Sequence, residues 1–277
     1  MKHSLFLGIA LSAVSLPAAV PTVTGVSFTQ PAGQRRVSIS YKLENAPAIV
    51  TVDIRTNGVS IGAENYSTVS GAVNRRLETD DTYTIVWRPE VSWAGKHLPA
   101  SVPVDAVVTA WAPDTPPDYM VVELDTTKTV RYYVSTNALP GGLLANPVYR
   151  TSSLVMRRIH AKDIPWTMRA GNYPHTVTLS NDYYMGVFEF TQGQYAAVKG
   201  SYPSSFFTYA ADRDMRPAEK VSYGGDLRGY SGGYWPKPPA DGSFLKALRT
   251  NTGIDFDLPT ETEWEFACRA GTEKTLY

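Results

Sequence analysis

Three glutamates, a cysteine and an arginine crowd into one short segment of this 277-residue sequence, where Leu258 to Thr272 reads LPTETEWEFACRAGT. A thiol in such company could act as a nucleophile if a helix N-terminus, a cation or a histidine lowered its pKa. Closely spaced carboxylates could divide acid and base work between them. Each chemistry meets an obstacle in the spacing. Cys268 falls late in the helix that the segment predicts, where the dipole opposes a thiolate. Arg269 is its neighbour in sequence but projects about 100° away around a helix of ~3.6 residues per turn. Successive members of the series Glu261, Glu263 and Glu265 are two residues apart and fall on different helix faces. Capping, dipole complementation and solvation account for them better than a catalytic pair. His3, His97, His160 and His175 lie far apart, without metal-ligand spacing. A single cysteine rules out an intrachain disulfide framework and a multi-cysteine zinc site.

The elements that must position these residues carry clear start and stop signals. Thr260 and Glu263 form a T-x-x-E capping box, Pro259 fixes the chain before the cap, and Gly271 offers a left-handed stop. Trp264, Ala267 and Cys268 at i, i+3 and i+4 predict a buried apolar stripe, with Cys268 a structural residue on it. Upstream, Thr191 caps a predicted helix through Gln194, Tyr195 and Val198, with Gly200 just past its end. Ser243 caps another over Phe244–Arg249, which Gly253 terminates.

The first half predicts strands. Val37–Leu43 alternates apolar and polar residues, Ile49–Ile54 follows, and Asn57-Gly58 closes it with a strong turn dipeptide. Thr82–Trp87, Val104–Trp111 and Tyr119–Leu124 are further strands, separated by Asp80-Asp81, Arg88-Pro89, Pro113 and Pro116-Pro117. The pattern predicts an all-β sandwich of immunoglobulin or fibronectin type over residues 22–125, acting as a spacer or adhesion module. Trp87, Trp93 and Trp111 could form a sugar-binding platform, although at least two of them are expected in the sandwich core. A linker is expected over 126–147, then a second domain over 148–277 that opens with a strand at Leu154–Ile159. Residues 1–19 read as a secretory signal: Lys2 and His3, an apolar run from Leu5, and small residues at Ala18-Ala19. This predicts a secreted, periplasmic or cell-surface protein, with no membrane span after signal cleavage. Formal net charge is zero with dispersed basic residues, which argues against a nucleic-acid partner.

Four blocks in the second half occur in a telling order. They are Pro174-His175-Thr176-Val177-Thr178-Leu179, then Tyr184 to Thr191 with Glu189 and Thr191, then Arg216 to Tyr223 with Pro217, Val221 and Ser222, then Leu258 to Glu265. Together they resemble the formylglycine-generating enzyme (sulfatase-modifying factor) family. Its pattern runs P-x-H-x-V-x-L, aromatic-Y-x-G-x-x-E-V-T, R-P-V-x-x-V-S-W and L-P-T-E-x-E-W-E. Phe190, Ala218 and Tyr223 depart from it, Pro174 directly precedes His175 where the pattern has one residue between, and Trp166–Gly171 lacks the usual methionine-glycine turn. The resemblance implies a loop-rich α/β fold related to C-type lectins, giving an α+β chain in all, with Gly225–Gly242 as one long loop. It also implies oxidation of a sulfatase cysteine to formylglycine, with copper held by two cysteines and calcium-binding loops, all beyond the last block. The residues carried over are therefore motif positions: Glu189, Thr191, Arg216, Pro217, Val221, Ser222, Leu258, Pro259, Thr260, Glu261, Glu263, Trp264 and Glu265. No catalytic or cofactor residue is carried over. The chain is expected to hold the N-terminal part of the domain and to be inactive alone. Its partner would be a cysteine-containing protein or, if the scaffold only binds, a surface ligand.

Overall fold

A computed structural model describes residues 19–96, 98, 101–170, 173–203, 212–230 and 238–272. The signal segment up to Ala18, together with His97 and Trp235, lies outside the described residues. The N-terminal half contains β1 (Thr22–Thr29), β2 (Val37–Glu44), β3 (Ala48–Thr56), β4 (Val59–Ser60), β5 (Ser70–Gly71), β6 (Arg75–Leu77) and β7 (Asp81–Trp87). The single-turn helix α1 (Pro89–Ser92) precedes β8 (Val104–Trp111). One antiparallel sheet runs β1-β2-β7-β5; the other places β3 between β4 and β6, with β8 also paired to β3. The alternation in β2 buries Val37, Ile39, Tyr41 and Leu43 on one face. They share a core with Val50, Val52 and Ile54 of β3, Ile85 and Trp87 of β7, and Val108 of β8. Asn57 and Gly58 both take positive φ in the β3–β4 turn, as a two-residue hairpin loop requires. Trp87 is buried, and Trp93 packs on it with ring centroids 5.9 Å apart.

The second half begins earlier than its sequence suggests. It contains β9 (Tyr119–Glu123), β10 (Val130–Tyr133), β11 (Ser153–Ile159), β12 (Pro165–Ala170), β13 (Tyr173–Thr178) and β14 (Tyr183–Gly186). Then follow α2 (Gln192–Lys199), a π-helical turn over Tyr223–Arg228, α3 (Phe244–Thr252) and α4 (Glu261–Arg269). The π-helical turn takes up the first residues of the expected Gly225–Gly242 loop. The central sheet runs β10-β9-β11-β14, and β12–β13 form a separate hairpin. Tyr119–Glu123 reads in sequence as the last strand of the first module, yet it hydrogen-bonds to β11. Val130–Tyr133, within the expected linker, completes the same sheet. The apolar run Met120-Val121-Val122 of β9 is buried on both faces and suits either sheet, and only non-local pairing decides between them. Met120, Val122, Leu154 and Met156 on one sheet face bury against Tyr195 and Val198 of α2 and Phe244, Leu245 and Leu248 of α3. The opposite face packs Val121, Tyr133 and Val155 against Leu139 and Tyr149. The whole is a mixed α/β protein with several antiparallel sheets and few helices.

Candidate functional site

Three of the four sequence blocks, those opening at Tyr184, Arg216 and Leu258, contribute to one wall of the second half, whereas the block at 174–179 runs through β13 in the separate β12–β13 hairpin. Thr191 caps α2: its Oγ1 accepts from the Gln194 amide at 3.2 Å, and its own amide donates to Gln194 Oε1 at 2.9 Å. Thr191 is only 3% exposed, and its hydroxyl also donates to the Arg150 carbonyl at 2.7 Å. The Arg216 block runs alongside: the Gln192 amide donates to the Arg216 carbonyl at 2.8 Å, and the Ala218 amide to Phe190 at 2.8 Å. Thr191 and Pro217 thereby form an antiparallel bridge. Ser222 caps the π-helical turn, donating from its amide and its hydroxyl to Asp226 Oδ2, both at 2.7 Å. These bonds hold the Asp226 carboxyl below the ordinary aspartate range.

Gln194 is a site residue only half explained by a local pattern: the Thr191-x-x-Gln194 spacing signals a capping box, and its long-range bonds have no local signal. It is fully buried, and its amide donates to the Tyr149 and Ser153 carbonyls at 3.1 and 2.7 Å. One side chain thus closes its own helix cap and fastens α2 to the start of β11. Asp257, just before the last block, is likewise an anchor. It pairs with the buried Arg228 and, at 3.1 Å, with Arg249.

Between these blocks lies an open groove of about 430 Å³. Phe188, Phe190, Tyr195, Pro217, Val221, Phe244 and Leu258 contribute to its apolar lining, with exposed Glu189 at its edge. Phe190 meets Phe244 edge-on at 5.1 Å, and Tyr195 stacks on Phe244 at 4.7 Å. Such a lining can hold an apolar body and offers little to a charged one.

The last block corrects the expected helix face. Thr260 and Glu263 form the predicted capping box, with Thr260 N to Glu263 Oε2 at 2.8 Å and Glu263 N to Thr260 Oγ1 at 3.2 Å. Glu261 is exposed in the first turn, and Pro259 is exposed ahead of the cap. The expected buried stripe of Trp264, Ala267 and Cys268 does not form: Trp264 is 48% exposed and Cys268 is exposed. Glu265 and Arg269 point inward instead, 3% and 7% exposed, joined by bonds of 2.7 Å from Nε and 2.6 Å from Nη2 to Glu265 Oε1. Glu265 is therefore not a solvated surface carboxylate. The reason is what α4 packs against. Phe266 meets Trp166 of β12 edge-on at 5.5 Å, and the Tyr183 hydroxyl of β14 donates to the Glu263 carbonyl at 2.5 Å. These contacts rotate the indole away from the body. The left-handed cap is Ala270, with φ 48°, and Gly271 follows at φ 82°.

Cys268 thus sits at the carbonyl end of α4, and no described group of three His, Cys, Asp or Glu side chains is placed to hold a metal ion. His160 lies between Asp118, at 2.8 Å, and Asp182, at 3.5 Å; it is outside the groove lining and shares a cleft with Ala267, Arg269 and Ala270 at the end of α4. Among the described residues no helix is long and apolar enough to cross a membrane.

A capped helix paired through its backbone to the Arg216 block, an aromatic groove, and an L-P-T-E-x-E-W-E helix held by Tyr183 and Trp166 together define a mixed α/β scaffold. Residues 145–277 match the sulfatase-modifying factor enzyme 1-like domain family, and this part of the chain is a domain of that family. No curated protein and no solved structure matches the chain.

Proposed function

We propose that this chain is an exported sulfatase-modifying-factor-like protein whose 277 residues supply scaffold and recognition surface, not the oxidation step. The family's activity turns a protein cysteine into formylglycine at a copper ion held by two cysteines. The sequence contains one cysteine, and that thiol is exposed at the C-terminal end of α4. The residues present therefore do not fit a copper centre, and no step is routed through one. That mismatch carries the reading. The motif side chains support it too, because structural roles account for them. Thr191, Ser222 and Thr260 cap, Glu263 closes a cap, and Glu265 pairs with Arg269. A spacer or recognition role for the N-terminal sheets completes the proposal.

The groove of about 430 Å³ favours a second reading, a non-catalytic extracellular binding protein built on the same scaffold. One experiment tests the catalytic part. The full chain is incubated with a cysteine-containing sulfatase peptide, copper and oxygen, and the peptide is analysed by mass spectrometry. The expected result is unchanged peptide cysteine; aldehyde formation dependent on the protein would overturn the proposal.

A further inference from the structure

The outer face of the N-terminal sheets carries a second cleft, of about 490 Å³, outside the family domain. Its position follows from strand parity. Val104, Ala106, Val108 and Ala110 of β8 face the shared core. Thr109 and Trp111 therefore face outward, beside Thr51 and Asp53 of β3. Ser135 and Asn137, just after β10, close the far wall, and Glu64 closes a third side.

Two features make this a built cleft. The Trp111 indole is half-buried and pinned in place by its Nε1–H, which donates to Thr51 Oγ1 at 2.8 Å. Asp53 is pre-set as an acceptor. Ser60 at 2.5 Å and Tyr66 at 3.0 Å donate to its Oδ1, and Arg55 at 2.7 Å to its Oδ2. Burial pulls this carboxyl upward, but those three donors prevail and hold it below the ordinary aspartate range. By contrast, the side chains of Thr109, Glu64, Ser135 and Asn137 carry no hydrogen bond to described residues. A fixed aromatic face thus stands among uncommitted hydroxyl, amide and carboxylate groups.

From this arrangement we infer that the cleft binds a neutral pyranose saccharide. The apolar face of a pyranose ring covers an indole well, while its hydroxyls donate to carboxylates and exchange bonds with amide and hydroxyl groups. The volume suits one or two sugar rings. An anionic ligand is disfavoured, because Arg55 is committed to Asp53 and the Glu64 carboxylate stands free at the wall. The cleft joins β3 and β8 to the segment after β10, so an occupant would touch both halves of the chain. This use is independent of the oxidase reading.

The test is a titration of the 277-residue chain, labelled with ¹⁵N, with maltose, cellobiose and N,N′-diacetylchitobiose. The Trp111 indole N–H signal is assigned with W111F. The expected result is a saturable shift of that signal with at least one of the three sugars. Affinity should fall at least about tenfold in W111A and about threefold to tenfold in E64Q and N137A. Glu64 and Asn137 are exposed, so these two variants keep the test decisive if W111A fails to fold. No saturable shift with any of the three sugars would overturn the proposal, as would unchanged affinity in both exposed variants. Equal binding of a uronic acid disaccharide would also overturn it.

Discussion

Replacing Glu265 by alanine tests whether the last motif block is written for an ion pair or for a helix surface. Glu265 and Arg269 stand one turn apart, with side chains 4% and 7% exposed and N–O distances of 2.6 and 2.7 Å. If the pair behaved like an exposed i,i+4 pair, its loss would cost about 0.3–0.5 kcal/mol. Buried as it is, removing the carboxylate takes the opposite charge from a guanidinium held out of water, and about 3–5 kcal/mol is expected. The two figures differ about tenfold, so the measurement separates them. Equilibrium urea unfolding of wild type, E265A, R269M and the double variant E265L/R269M supplies it. The first two changes should each destabilise strongly, whereas the double variant should recover most of the loss because no charge remains buried. A cost below about 1 kcal/mol for E265A would refute the reasoning. So would a double variant as unstable as E265A, since packing, not charge, would then explain the effect.

The two capping boxes should differ in weight. T260A removes an exposed cap and should cost about 1 kcal/mol, while T191A should cost about 2 kcal/mol or more, since it also strips the Arg150 carbonyl of its donor; unfolding curves in the reverse order would contradict this. Stability should also depend on acid through Asp182. Burial raises its carboxyl, but the Lys162 and Ala161 amides and the Arg158 guanidinium outweigh burial and leave it below the ordinary aspartate value. A lowered folded pKa gives stability that is complete above the unfolded value, roughly pH 4, and is lost as pH falls through the folded value. Thermal melts between about pH 6 and pH 2 should show this loss in wild type and a smaller one in D182N; equal slopes would exclude Asp182 as the source.

What could be read from sequence was what local chemistry decides. Thr191, Ser243 and Thr260 announce their helices because a hydroxyl beside free amides has a local energetic reason to be there. Asn57-Gly58 announces its turn because two positive φ values are needed. The face of α4 could not be read in this way. The rule that places Trp264 inside has no knowledge of Trp166 and Tyr183, which occupy the other side of the helix. One signal was available: Glu265 and Arg269 are spaced for a pair, and a pair can be buried where neither charge could be alone. In β8 the parity of Val104, Ala106, Val108 and Ala110 is a signal that could have placed Trp111 outside the core. The cleft around it needed residues from β3, the turn after β4 and the segment after β10, which no window of sequence brings together.

The boundary between the two halves follows the same logic, with a consequence for how the domain holds together. The family match begins at residue 145, yet β9 and β10, half of the four-stranded central sheet, precede it. Without β9, the backbone of β11 from Ser153 to Arg157 would lose its partner on that edge, and Leu154 and Met156 would lose Met120 and Val122 beside them. An unpaired apolar strand edge is a template for association, so the sheet needs those strands as cover. The same β10 reaches back to the first module, where the Tyr132 amide donates to the Asn74 carbonyl at 2.8 Å. The segment between the modules is therefore a shared structural element, not a tether. Stability of the groove wall and geometry of the outer cleft both depend on it: β10 completes the sheet behind one, and the residues directly after β10 line the other.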